Sequence, residues 1–515
     1  MAELIPPRRP RTTTRSRIHA PARRPGAASE SRIFPKGPFL GKRAVVIGGS
    51  VAGMLTARVL AEHFERVSII ERDYLYDRPI GRKGAPQYRH SHILLASGAA
   101  VLKELFPELG ADMRRAGAVP VDASKDLRWF HFGVWKARVK SGITFYLTNR
   151  MIFEAALRRR VRSWANIEIL DDRDTVGLLV NEAGDRITGV KFQRKGEDSI
   201  ESIEADLVVD ASGRGSRSPR WLEGLGFARV EETEIRMSIG YASRVYRLPR
   251  NFDLSRLPLA VFPKPPETHR MGLMFTIDDK TLMVTLGGWC RDYPPTDPDG
   301  FAEFARSLPV PDFVSLLDEA KPAPAIHSHL VPSDLRRRYE KMSRFPDGYL
   351  VLGDALCSFN PIYGQGMSAA ALEVKSLQRW LEGQQRRGRG VAQRGAGRRL
   401  QREIVRALYV PWLLSTIEDL RFPEVPGRRP FGLSILQWYI GNVLELSATH
   451  PEILRRFMLV MNLLAGPAVL LVPQVIFAVF WHSLRGRPTT DSAAKAAAED
   501  SGDSEAELEG DDSAT

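Results

Sequence analysis

Two cysteines among 515 residues, Cys290 and Cys357, are too few and too far apart for a disulfide framework, and their spacing is not that of a zinc site. A reducing compartment, and so a cytoplasmic location, is the expectation. The paired arginines Arg8-Arg9 and Arg23-Arg24 are followed by no apolar stretch of the kind a secretion signal needs. There is no internal repeat. No acid–base or nucleophilic pair stands out, so no catalytic side chain is assigned. His90 and His92 have no carboxylate or third ligand near them in sequence, and no metal is expected.

One long run does lack charge. Phe457 to Trp481 is 25 residues without a charged side chain, long enough to cross a bilayer. Asn462, Gly466, Pro467, Pro473 and Gln474 break it into two short helical pieces. A hydrophobic lid or a monotopic anchor with peripheral membrane contact fits better than a spanning helix.

The rest is ordinary for a globular chain of 57.6 kDa: 43% hydrophobic and 26% charged. Residues 1–43 hold eleven Lys/Arg against two acidic residues, and residues 486–515 hold nine Asp/Glu against two basic ones. With few apolar residues to bury, 1–40 and 486–515 are expected to be disordered tails. Setting both ends aside leaves about +11 of the net +13 on the body. Much of it lies in Arg386 to Arg406, where no aromatic side chains are interleaved for base stacking. A solvated loop and helix face is the plainer reading than a nucleic-acid patch, and no nucleic-acid partner is expected. A basic body also suits an anionic membrane surface or an anionic cofactor.

Val45 to Met54 reads VVIGGSVAGM. The apolar run Ala44–Ile47 suits a buried parallel strand, and Val51, Met54, Leu55, Val59 and Leu60 recur at helical spacing. VSIIER then gives a second strand ending at Glu71. Strand, glycine turn, helix, strand and acid make up the dinucleotide-binding context. The fingerprint's glycines fall at Gly48 and Gly53, but the middle one is displaced to Gly49, leaving Ser50 in its place. The turn lets backbone N–H groups and a helix N-terminus face a pyrophosphate. Ser50 can donate to a phosphate oxygen, Glu71 can accept from ribose hydroxyls, and Gly53 keeps helix and strand close.

Two later stretches sharpen the reading. ADLVVDASGRGSRSPRWL (205–222) is a strand ending in a small-residue turn. DGYLVLGDALCSFNPIYGQGM (347–367) runs strand, Gly353-Asp354, Pro361, then Gly364 and Gly366 opening an Ala-rich helix. With GGSVAG, GRKGAPQYRHSHILL (81–95) and PWLLSTIEDLRFPEVPG (411–427), the chain resembles FAD-dependent monooxygenases of the para-hydroxybenzoate hydroxylase type. Within that group it looks like the bacterial polyether and squalene-type FAD epoxidases. The resemblance covers roughly residues 43–485.

It implies an α/β fold: a Rossmann-like, glutathione-reductase-type FAD domain, a mixed or antiparallel β-sheet substrate domain and a C-terminal helical region. The FAD domain would comprise 41–125, 145–220 and 345–385, and the substrate domain 126–144 and 221–344. Strands in 235–248 and 269–289 would floor the substrate pocket, and 386–485 would be helical. The family pattern places Gly48, Gly49, Ser50, Val51, Ala52, Gly53, Glu71 and Arg72 on the pyrophosphate and AMP end of FAD, with Val176 as a further contact. Asp210 and Gly213 belong to the second motif. Gly353 and Asp354 would meet the ribityl chain. Pro361, Gly364, Gly366 and Met367 would meet the flavin's pyrimidine edge. Arg150 is either an arginine lying along the FAD or a surface residue at a helix start. Arg82 and Gln87 either bond the ribityl chain or flavin ring, or satisfy a loop, and His90 and His92 line the site.

Two departures matter. Ser212 stands where many hydroxylases have an Asp, with the acid displaced to Asp210, so the electron donor stays open: NADPH, NADH or a partner flavin reductase. Cys357 replaces a common His and reads as a buried structural thiol. The resemblance implies transfer of one oxygen atom from O₂, through a flavin C4a-hydroperoxide, to a lipophilic polyene, terpenoid or polyketide. The alternatives are an alkene reductase of the geranylgeranyl-reductase type, a halogenase-like enzyme (though the Trp-x-Trp-x-Ile-Pro motif is absent), and a non-catalytic membrane scaffold.

Overall fold

The computed structural model describes residues 32–278 and 280–485; the expected tails lie outside them over 1–31 and 486–515. The chain joins the body ahead of the expected boundary at 40. Ile33 donates to Ser163 O (2.8 Å) and accepts from Ala165 N (2.9 Å), beside Trp164.

Five parallel strands form the nucleotide-binding sheet, in the order Tyr349–Val351, Leu207–Asp210, Gly41–Ile47, Phe64–Ile70, Ile167–Leu170. Ala44, Val45 and Val46 in its middle strand are fully buried, as a strand covered on both faces requires. The helices Val51–Leu60, Arg150–Arg162 and Gly366–Arg386 pack on one another around this core. The fingerprint helix leaves the first strand at Gly48, whose φ of +104° an L side chain would resist. A Cβ on Gly53 would fall 1.8 Å from Gly48 O, so only glycine lets helix and turn approach this closely.

The outer edge of the sheet is covered rather than left bare. Helix Ala396–Ala407 lays the Gln401 amide against it, donating to Val351 O and accepting from Val351 N, both at 3.0 Å. Arg402 and Arg406 on the same helix are exposed.

A second sheet has seven strands, in the order Lys321–Val331, Ile239–Arg247, Thr281–Gly288, Arg270–Asp278, Leu259–Val261, Arg128–His131, Val134–Trp135. It is antiparallel except where Leu259–Val261 meets Arg128–His131. The alternation in 235–248 and 269–289 is therefore that of its central strands. Helices Tyr409–Asp419, Leu433–Leu446, Pro451–Met461 and Pro473–Arg485 pack into one hydrophobic cluster with this sheet. The uncharged run breaks as its prolines predict, into helix, 3₁₀ turn Pro467–Leu470, and helix. No helix among the described residues is long and apolar enough to cross a membrane.

Candidate active site

Two spaces adjoin between the sheets. The first is a crevice along the carboxyl ends of the parallel strands, where ligands of open α/β sheets bind. Gly48, Ser50, Val51, Ala52, Glu71, Arg72, Arg82, Gln87, Arg150, Gly213, Asp354, Pro361, Gly364, Gly366 and Met367 all line it, as do His90 and His92. Five other predicted residues do not.

Gly49 donates its N–H to Glu71 Oε2 (2.6 Å) and Gly53 packs on Gly48, so both shape the turn. Asp210 is fully buried and ties its own turn, accepting from Ser212 N (2.9 Å), Ser216 Oγ (2.5 Å) and Ser218 Oγ. Gly353, at φ +63°, donates its N–H to Glu373 Oε2 (2.7 Å). Val176 sits on strand Arg173–Val180, whose Arg173, Asp174 and Thr175, not Val176, line a smaller cleft shared with Glu71 and Arg72.

The Ser50 hydroxyl is spoken for. It donates to Glu154 Oε1 (2.8 Å) and accepts from Arg150 Nη2 (2.7 Å), so in this state it offers no proton to a phosphate. Glu154, on the helix that Arg150 starts, is the hub: Arg150 Nε donates at 2.9 Å and Arg82 Nε at 3.0 Å. Arg82 also lies 3.4 Å from Glu71 and 3.5 Å from Asp73. Burial opposes charge on Glu154, but Arg150 and Arg82 overcome it and hold the carboxyl at about 2. Arg150 is thus no surface arginine: its side chain is 14% exposed and turned into the crevice. Deeper in, Asp354 projects into the space; burial raises its pKa, opposed by Arg150 and Arg214.

The crevice floor is a polar cluster that the sequence does not announce. His90 Nδ1 and Ser243 Oγ are 2.8 Å apart, Ser243 Oγ and Thr285 Oγ1 2.6 Å, and Thr285 Oγ1 and Ser91 Oγ 2.7 Å. The His90 ring packs edge-on to Tyr241 at 4.6 Å and lies 6.0 Å from His329. Burial, then the neighbouring histidines, push His90 down to about 3; burial and Arg150 do the same to His92. Both rings are neutral at physiological pH. His329 and Tyr241 come from strands far along the chain. The only signal for them was the alternation in strands Lys321–Val331 and Ile239–Arg247.

The second space is an apolar chamber between the large sheet and the C-terminal helices. Trp129, Phe145, Trp289, Phe422, Phe457 and Leu470 are among its walls. Ile93, Leu273 and Ile362 line both spaces, so the chamber meets the crevice beside the Pro361–Gly364 loop. A buried carboxyl pair fixes that loop. Asp419 Oδ1 accepts from Trp289 Nε1 (3.0 Å), Asn360 Nδ2 (2.9 Å) and Tyr363 OH (2.8 Å). Asp334 accepts from Asn360 N (2.5 Å) and Ser415 Oγ (3.1 Å). Burial, and then the facing Asp419 carboxylate, push Asp334 well above the usual range.

The crevice fits an elongated anionic ligand. Two helices, Val51–Leu60 and Gly366–Arg386, start on it with Ser50, Val51, Ala52, Gly366 and Met367 in its lining. Their positive ends suit a pyrophosphate and an electron-rich ring edge. Gln365 Oε1, an acceptor buried without a partner among the described residues, lies at the start of the second helix on the chamber side and adds nothing to the anion fit.

No protein-family model matches the chain. It is 33% identical over 463 residues to Protein Rv3254 of Mycobacterium tuberculosis (strain ATCC 25618 / H37Rv), covering 86% of this chain and 94% of that protein. It is 23% identical over 350 residues to squalene monooxygenase 1,2 of Brassica napus, covering 66% of this chain and 61% of that enzyme. Among solved structures, a triple mutant of the flavin-dependent brominase Bmp2 superposes with a TM-score of 0.59 at 13% identity, covering 84% of this chain and 98% of that one. PqsL of Pseudomonas aeruginosa, a probable FAD-dependent monooxygenase, superposes at 0.55 and 16% identity, covering 74% and 98%. At such identities the likeness is one of fold.

Proposed function

The chain belongs to the family of Protein Rv3254 and has the fold of flavin-dependent monooxygenases and halogenases, and on that basis we propose that it is an FAD-dependent monooxygenase acting on a lipophilic substrate. One observation carries the reading. A chamber walled by aromatic and aliphatic side chains opens onto the Pro361–Met367 end of a dinucleotide-shaped crevice. In this reading the Gly48–Ala52 turn holds the pyrophosphate, Glu71 and Arg72 the adenosine end, and Asp354 the ribityl chain. Gly364, Gly366 and Met367 meet the pyrimidine edge.

FAD held here would, once reduced, supply the activation of O₂, with one oxygen atom going to the substrate and the other leaving as water. The chain's own work is to exclude water and hold the substrate near the reacting centre. Phe145, Trp289 and Phe422 do the first, and Ile93, Leu273 and Ile362 stand where the second is needed. Epoxidising an alkene asks for no protein base, which agrees with His90 and His92, pushed down to about 3 and so weak bases. The electrons would come from NADPH, NADH or a partner reductase.

The test is a spectrum of the purified chain, followed by anaerobic NADPH and readmission of air. Flavin bands that bleach and return with consumption of O₂ would support the reading. Bound flavin that stays oxidised with NADPH but bleaches with an added flavin reductase would assign the donor. A colourless chain that takes up no FAD would overturn the proposal. Flavin turnover that saturates alkenes without consuming O₂ would replace it with the reductase.

We further propose that the substrate arrives from a membrane surface. Phe431, Ile435, Phe477, Phe480, Trp481 and Leu484 are largely exposed on or beside helices Leu433–Leu446 and Pro473–Arg485. Leu436 and Ile440 of the first of these helices line the chamber. Arg428, Arg429 and Arg485 flank the face in sequence, a pattern suited to an anionic leaflet. The protein is expected to co-sediment with anionic vesicles, and Phe477→Ser/Phe480→Ser to stay in the supernatant with its flavin. Wild type in the supernatant would remove this part.

A further inference from the structure

We propose that His269, Cys290 and Glu424 form a binding site for a divalent transition-metal ion of the zinc class. One donor atom from each residue lies within 4.8 Å of the other two, and His269 Nε2 is 3.6 Å from Glu424 Oε1. The residues come from three separate segments. His269 precedes strand Arg270–Asp278 and Cys290 follows strand Thr281–Gly288; these strands pair antiparallel with Arg270 opposite Gly288, which sets both residues at one end of the hairpin. Glu424 lies in the connection after helix Tyr409–Asp419. Neither cysteine spacing nor the His90/His92 pair points to this place.

The donor set selects the ion. One thiolate, one imidazole and one carboxylate suit zinc or cobalt and not magnesium or calcium, which take oxygen ligands. Zinc bonds of about 2.3 Å to sulfur and about 2.0 Å to nitrogen and oxygen put tetrahedral donors about 3.3–3.7 Å apart. Closing the widest gap therefore asks for a shift of up to about 1.1–1.5 Å. Glu424, 54% exposed, has room to change rotamer, and its 3.6 Å to His269 already falls within that range. The His269 ring is already fixed by stacking on Phe422, 5.0 Å between centroids and 27° between planes. The nearby arginine Arg270 is neutralised by Asp292 at 2.7 and 2.9 Å.

The site backs the chamber wall. Phe422 stacks between His269 and Trp289 (5.7 Å from the latter), and both Phe422 and Trp289 face the chamber. A bound ion would rivet the sheet's end to the connection that roofs the chamber, whatever reaction takes place inside it.

Cobalt is the probe. Full-length protein is stripped with a chelator and titrated with Co²⁺ under reducing conditions. One equivalent is expected to produce a thiolate-to-cobalt band in the near ultraviolet and visible bands of a tetrahedral ion, both bleached by Zn²⁺. Cys290→Ser should abolish the thiolate band. Glu424→Gln should weaken binding by about tenfold or more, by analogy with losses around metal sites, and Cys357→Ser should change nothing. Circular dichroism checks that each variant is folded. No thiolate band in excess cobalt, or a band that survives Cys290→Ser, would overturn the site.

Discussion

Glu373→Gln is expected to make the chain more stable than wild type at pH 8, by about 4 kcal/mol relative to the difference between the two proteins at pH 4.5. Glu373 is 1% exposed on helix Gly366–Arg386, and its Oε2 accepts the N–H of Gly353. Burial lifts its carboxyl from 4.5 to about 8, helped by the nearby Asp354 and opposed by the Gly353 bond. A carboxyl whose folded pKa lies above its unfolded value favours folding fully only below the lower pKa. Between 4.5 and about 8 the folded state holds a proton that the unfolded chain has lost. Stability therefore falls as pH rises through that window. Glutamine keeps an acceptor for Gly353 and cannot ionise. Urea unfolding at several pH values checks this: the wild-type and variant curves should diverge upward in pH, and parallel curves would refute the assignment. Glu154 works in the opposite sense. Its depressed pKa, about 2, gives stability that is present above 4.5 and lost as pH falls toward 2.

Asp419→Leu should cost about 3–5 kcal/mol, because it strands buried donors, among them the protonated carboxyl that faces it. The donors are Trp289 Nε1, Asn360 Nδ2 and Tyr363 OH, and the remaining carboxyl is Asp334, itself fully buried. Asp419→Asn keeps the Oδ1 acceptor and should lose far less. Because the three donors hold the Asn360–Tyr363 loop against the chamber wall, the leucine variant should also retain less flavin after gel filtration. Thermal melts with the flavin content of the same samples check both effects. A leucine variant that melts with wild type would show that the pair contributes little.

What could be read in the sequence was what lies close together along it. The strand, turn, helix and strand of 44–71 follow from apolar periodicity and two glycines whose Cβ atoms would collide with backbone. The Gly353-Asp354 and Gly364–Met367 motif is similarly local. The site's remaining parts come from afar. Glu154 looks like an ordinary surface acid in RMIFEAALRRR, yet its helix turns it onto Arg82, 72 positions earlier. Asp210 and Ser50 have the right composition for ligand contacts, but in the fold their oxygens are engaged by neighbouring serines and by Glu154. Nothing local marks Asp334 and Asp419 as partners, since pairing across 85 positions is a property of packing. The chamber is likewise the product of seven strands and four helices meeting, which no single window of sequence displays.

The order of strands in the parallel sheet also sets a timetable for synthesis. Gly41–Ile47 leaves the ribosome early, but its neighbour Leu207–Asp210 arrives much later and the edge strand Tyr349–Val351 later still. Gln401, which seals that edge, is later again. For most of translation the nascent chain carries an apolar strand with one flank unpaired, in a topology dominated by distant contacts, which fold slowly. A chain halted near residue 330 would possess the whole glycine fingerprint and still lack Asp354 and the Gly364–Met367 turn. Productive synthesis of this protein should therefore depend on chaperone capacity and slow growth more than on flavin supply, because the cradle does not exist until about seven-tenths of the chain has been made.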